Sequence, residues 1–121
     1  MDIVNEYLQE TRKSMEGLPR GLREMLDIRP KIICADGFTV SVQASLTHYC
    51  SPRDNYGPYS EVELGFPSQE EPDIMDWAED PDAPTGTVYG YVPVTVVAAV
   101  IDKHGGIDRN ATLRGGAKGG T

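Results

Sequence analysis

His48, Tyr49, Cys50 and Arg53 stand close together in the segment His48-Tyr49-Cys50-Ser51-Pro52-Arg53, a dense run of chemically capable side chains in a 121-residue protein. Three chemistries compete for it. A cysteine two residues from a histidine can act as nucleophile with its base, because i and i+2 of an extended segment point the same way. That small Cys/His hydrolase would need a lowered thiol pKa and an orienting carboxylate, and no sequence signal supplies either. Joined by Cys34 and His104, the same pair makes the ligand set of a tetrahedral zinc. The spacing fits no compact knuckle, so no metal and no cofactor are expected. The third chemistry is recognition. Tyr49, Tyr56 and Tyr59 can stack a base at roughly 1 to 3 kcal/mol each, and Arg53 offers a planar fork to phosphate. His48, Tyr89 and Tyr91 complete this ligand-binding inventory. Against it stands the plainer alternative that the tyrosine rings pack on a sheet and leave only hydroxyls in water. A second region is acidic: Glu61, Glu63, Glu70, Glu71, Asp73 and Asp76 lie about Trp77, an aromatic anchor of the kind protein interfaces use.

The elements that must position these residues are legible from pattern. Lys31 to Ala35 and Phe38 to Ser45 alternate in polarity on either side of Asp36-Gly37, a strong signal for a two-residue hairpin. That register places Ile33 opposite Val40 and Cys34 opposite Thr39, with Cys34 on the face away from Phe38, Val40 and Val42. Asp2 caps a helix whose Ile3, Val4, Tyr7, Leu8 and Met15 keep helical spacing, and Arg20 to Asp27 forms a short second one. Ser60 to Phe66 reads as a third strand with one wet face, and Gly86 to Val92 as a fourth. Between them, the acidic connection from Pro67 to Thr85 carries a single helical turn around Ile74, Met75, Trp77 and Ala78. Pro93 opens a helix that runs to His104 and stops at Gly105-Gly106. The expected fold is α+β: N-terminal helices, a four-stranded mainly antiparallel sheet with its hairpin turn at 36–37, and a C-terminal helix packed on the sheet. Residues 1–107 form one domain and 108–121 a flexible tail.

Charge narrows the partners. The net charge is −8, and between Arg53 and Lys103 there are eleven acidic residues and no Lys or Arg. Such a field repels phosphate backbones, so direct nucleic-acid binding is not expected. It serves solubility, or else imitates nucleic acid toward a protein. No apolar run reaches the ~20 residues that cross a bilayer, and residues 1–17 are polar and acidic, so no membrane partner, no leader and a cytoplasmic location are expected. Two cysteines read as free thiols. A small sheet with an apolar helix such as Val94 to Ile101 leaves room for a homo-oligomer across a two-fold axis.

Three blocks, Ala35 to Arg53, Tyr59 to Ser68 and Thr87 to Gly106, resemble a group of small acidic accessory proteins encoded by bacteriophages and prophages. The likeness covers half to two thirds of the chain and is one of motifs. It implies a phage accessory protein, acting in the host cytoplasm and interfering with a host defence. Two styles of counter-defence suit the residues. A sponge sequesters a nucleotide-like signal molecule with arginine and aromatic contacts, whereas an anti-CRISPR-like inhibitor offers an acidic surface to a host defence protein. The resemblance assigns no functional residue, so every site residue named above rests on its own chemistry.

Overall fold

The computed structural model describes residues 2–15, 29–54 and 56–112. The second helix expected over 20–27 lies outside the described residues, as do residues 113–121. Helix α1 spans Ile3–Met15 and strand β1 Ile32–Ile33, followed by β2 Thr39–Gln43 and β3 Glu61–Gly65. A 3-10 helix, Pro72–Trp77, precedes β4 Val88–Pro93 and α2 Val94–Lys103. The sheet runs β1-β2-β3-β4 with every neighbour antiparallel, as alternation in the sequence predicts.

One core joins the layers. Val40, Val42, Val62, Leu64, Tyr89 and Val92 from the sheet meet Val4, Tyr7 and Leu8 of α1 and Val97, Val100 and Ile101 of α2, all buried. Val4, Tyr7, Leu8 and Thr11 fall one helical turn apart, so α1 needs only one face for this. Asp2 caps it as expected: its Oδ1 accepts the Asn5 amide at 2.8 Å. Asn5 then does something the sequence does not announce. Its side-chain amide donates to the Tyr59 carbonyl at 2.9 Å and accepts the Tyr59 amide at 2.7 Å, copying a strand partner and holding the loop before β3 against α1.

The hairpin forms, but its register differs from the expected one. Ile33 pairs with Thr39 and Ile32 with Val40. The Gly37 amide donates to the Cys34 carbonyl at 2.9 Å and Gly37 has φ 94°, so the reversal is a turn over Ala35 and Asp36 closed by a left-handed glycine. One extra loop residue slides the pairing by one position, and every side chain of β1 changes face. Cys34 therefore joins Phe38, Val40 and Val42 inside the core rather than lying opposite them.

Both outer edges of the sheet are covered. Beside β1, the Asp108 amide donates to the Ile33 carbonyl at 2.8 Å and Thr112 Oγ1 accepts the Ile33 amide at 2.9 Å. Beside β4, Ala78 bridges Tyr89, and the Glu79 amide donates to the Val88 carbonyl at 3.0 Å. The tail expected over 108–121 is thus docked at its start, where Asp108 Oδ1 caps a helical turn and Thr112 is buried. Among the described residues, no helix is long and apolar enough to cross a membrane.

Candidate functional site

A β-bulge sets the geometry of the exposed aromatic cluster. Val62 pairs with Val92 and Leu64 with Tyr89, so two residues of β4, Gly90 and Tyr91, oppose the single Glu63 of β3. Bulges re-aim side chains. In a regular strand Tyr89 and Tyr91 would share a face, but here Tyr89 is fully buried while Tyr91 is 43% exposed. Tyr91 also adopts φ 57°, a left-handed conformation that few large residues take.

The turn segment after β2 comes to meet it. The Tyr91 amide donates to the Tyr49 carbonyl at 3.0 Å, and the Tyr49 amide donates to Glu63 Oε2 at 2.9 Å. Gly90 permits the approach, since a Cβ there would sit 3.3 Å from Tyr49 Cβ. The two rings end 5.9 Å apart between centroids and tilted by 33°. Arg53 folds back so that Cζ lies 5.9 Å from the Tyr49 ring centroid, while its Nε donates to the Leu46 carbonyl at 3.1 Å. Among the described residues, its two terminal nitrogens have no acceptor, which leaves the outer side of the fork open. Leu46 is exposed beside it.

The other residues of the expected ligand set divide. Tyr56 is exposed on the same loop, its amide fixed to Asp54 Oδ1 at 2.9 Å. His48 is half-buried, with Nδ1 2.6 Å from Ser45 Oγ. Tyr59 and Tyr89 are core residues whose hydroxyls donate to the carbonyls of Asp54 and Pro84, so neither ring offers a face to a base. The alternation of the sequence cannot separate Tyr89 from Tyr91; the interior Gly90 is the one signal that the strand is irregular. Nor does the Cys50 thiol address His48. It is buried, donates to the Ser45 carbonyl at 3.2 Å, and burial pushes its pKa up, the reverse of an activated nucleophile. Cys34 is held higher still, at about 11, by burial and the nearby Asp36.

The acidic set also divides. Glu70 and Asp76 are exposed, and Glu61 and Glu63 are half-buried, with Glu61 accepting the Ser51 hydroxyl at 3.0 Å. Trp77 is half-buried and packs on the core, so it pins the loop rather than projecting from it. Glu71 departs most from expectation. It is 1% exposed, caps the 3-10 helix by accepting the Asp73 amide, and takes Lys103 Nζ at 2.8 Å and His104 Nε2 at 2.9 Å. Lys103 also reaches the exposed Asp73 at 3.1 Å. On its other side His104 Nδ1 meets Asp36 Oδ2 at 2.6 Å, and the ring stacks on Phe38 at 4.1 Å. Burial alone would raise the Glu71 carboxyl, yet the hydrogen bonds from Lys103 and His104 hold it below its ordinary value. Burial opposes charge on His104 as well, and its two carboxylates outweigh that and raise its pKa. His104 and Lys103 are the first basic side chains after Arg53, and that scarcity is the only hint the sequence gives that they pair internally.

Comparison with protein-family models, curated proteins and solved structures yields no match for this chain.

Proposed function

We propose that this protein is a non-catalytic binding protein that captures a small nucleotide-like signal molecule on the Tyr49, Arg53 and Tyr91 surface, as a phage-encoded counter-defence sponge. The observation that carries this is Arg53 laid along the Tyr49 ring with its outer nitrogens open, beside a half-exposed tyrosine kept at positive φ. A left-handed tyrosine costs about 1 to 2 kcal/mol. Such strain persists where surrounding structure enforces it, most often at binding and switch sites. In this arrangement Arg53 takes phosphate, the outer face of Tyr91 takes the base, and Tyr49 orients the guanidinium in advance through a cation–π contact of about 0.5 to 1 kcal/mol. Tyr56 is exposed on the same loop. The phage setting and the counter-defence role draw their support from the sequence resemblance alone.

Isothermal calorimetry against cyclic mononucleotides and cyclic dinucleotides tests the proposal. Binding by wild type that is lost in Arg53→Ala and Tyr91→Ala supports it; silence across the panel, or equal heats from wild type and Arg53→Ala, removes it. The rival reading, an acidic inhibitor of a nucleic-acid-binding host effector, draws on the exposed Glu70, Asp73, Asp76, Glu79, Asp80 and Asp82. It loses Glu71, whose carboxylate faces inward. It predicts a complex that dissociates as salt rises and on charge reversal at Glu70 and Asp76.

A further inference from the structure

At the C-terminal end of α2 a single side chain joins three segments. The His104 side chain is 7% exposed; Nδ1 faces Asp36 in the hairpin turn and Nε2 faces Glu71 at the start of the 3-10 helix. An ionised carboxylate only accepts, so satisfying both contacts requires both ring nitrogens to donate. Only the imidazolium does that. A neutral ring turns one lone pair toward a carboxylate, and the two carboxylates are not equivalent. Glu71 is 1% exposed, whereas the Asp36 side chain is 51% exposed and can be hydrated. Leaving the buried carboxylate short of a donor costs more than leaving the wet one.

We infer that His104 is a proton-operated clasp: charged, it fastens the hairpin turn and the 3-10 helix to the end of α2, and on losing its Nδ1 proton it keeps Glu71 and releases the turn. Cys34 and Phe38 on either side stay in the core, so what can be released is Ala35 and Asp36, whose own remaining ties across to α2 are two backbone bonds. The Ala35 amide donates to the Gly106 carbonyl at 2.9 Å and the Asp36 amide to the His104 carbonyl at 3.2 Å. Both acceptors belong to the segment that leaves the helix. Gly105, at φ 91°, stands where a Cβ would come within 3.0 Å of Ala35 Cβ, so the two segments touch with nothing between them. Asp36 from the hairpin and Glu71 from the 3-10 helix touch the ring; Lys103 of α2 and Asp73 of the 3-10 helix stand behind Glu71, and Cys34, whose thiol burial pushes up to about 11, belongs to the same hairpin. The two carboxylates in contact with the ring favour the proton, and the raised pKa of His104 agrees. The clasp is closed below that raised value and opens as pH rises through it.

Nitrogen-15 NMR of the imidazole rings in the full chain, with His48→Gln to assign the two histidines, decides the matter together with amide exchange. The expected result is a doubly protonated His104 with a midpoint above the ordinary value of about 6.5 that titrates to the Nε2–H tautomer. Over the same range the Ala35 and Asp36 amides lose protection, corrected for the intrinsic rate, while the Asp73 and Ala78 amides keep theirs. A His104 midpoint at or below the ordinary value of about 6.5, an Nδ1–H tautomer after titration, or unchanged protection at Ala35 and Asp36 overturns the inference. Asp36→Asn, a substitution at an exposed turn, must also shift the His104 midpoint to lower pH; an unmoved midpoint overturns it equally.

Discussion

Replacing Tyr91 by alanine and by glycine separates its backbone from its ring. Both substitutions delete the ring contact with Tyr49. They differ only in the main chain at φ 57°. Alanine keeps the left-handed penalty of about 1 to 2 kcal/mol. Glycine removes it and in exchange gives the unfolded chain more freedom, which costs about 0.5 to 1 kcal/mol. The balance leaves Tyr91→Gly more stable than Tyr91→Ala by roughly 0.5 to 1 kcal/mol, an inversion of the usual order in a strand, where alanine wins by a similar amount. Urea titration measures the difference directly, and in a domain of this size it corresponds to a melting shift of about 2 to 4 °C. Ligand affinity should fall alike in both variants, by about 5- to 150-fold if Tyr91 stacks a base. A glycine variant less stable than the alanine one would refute the backbone assignment. A glycine variant that still binds would refute the role of the ring.

Other outcomes follow from the same geometry. Arg53→Ala removes an exposed side chain with its Tyr49 and Leu46 contacts and should cost about 1 kcal/mol of stability while abolishing the calorimetric signal. Glu71→Gln takes from the buried His104 one of its two carboxylates and should cost about 3 kcal/mol in denaturant titration, the low end for a broken buried pair because Asp36 still faces the ring and Lys103 is 47% exposed. Stability against pH should form a plateau with two flanks. His104, raised in the fold, contributes fully below its ordinary value of about 6.5 and loses the contribution as pH rises through the folded value. Glu71, lowered in the fold, contributes above its ordinary value of about 4.3 and loses the contribution as pH falls through the folded one. A urea midpoint that stays flat from neutral into the alkaline range would contradict the first flank. Gly37→Ala meets no atom within 4 Å, so any loss, expected at about 1 kcal/mol, reports backbone conformation alone.

Where the sequence spoke clearly it did so through punctuation. Asp2, Pro93 and Gly105-Gly106 mark helix ends that the structure places within a residue or two, and Asp36-Gly37 marks the hairpin. Faces were harder, because each depends on counting residues by two. One added position in the hairpin loop brought Cys34 indoors, and one at Gly90-Tyr91 sent two tyrosines to opposite sides. Burial of charge was hidden altogether. Glu71 stands in an acidic run that reads as solvated throughout, and nothing local distinguishes it from Glu70; only the arrival of Lys103 and His104 from thirty-odd residues away makes its position inside tolerable. The aromatic cluster was half visible, since Tyr49 and Arg53 lie in one loop while Tyr91 reaches them through a bulge.

The borders of the sheet bear on the proposed sponge role. Were the protein such a scavenger, it would work mole for mole and succeed only by accumulating to at least the level of what it removes. High concentration punishes any protein whose outermost strand can template a neighbour. Here Asp108 and Thr112 cover one border and Ala78 and Glu79 the other, so among the described residues the outermost strands already have partners and offer little template to a neighbouring copy.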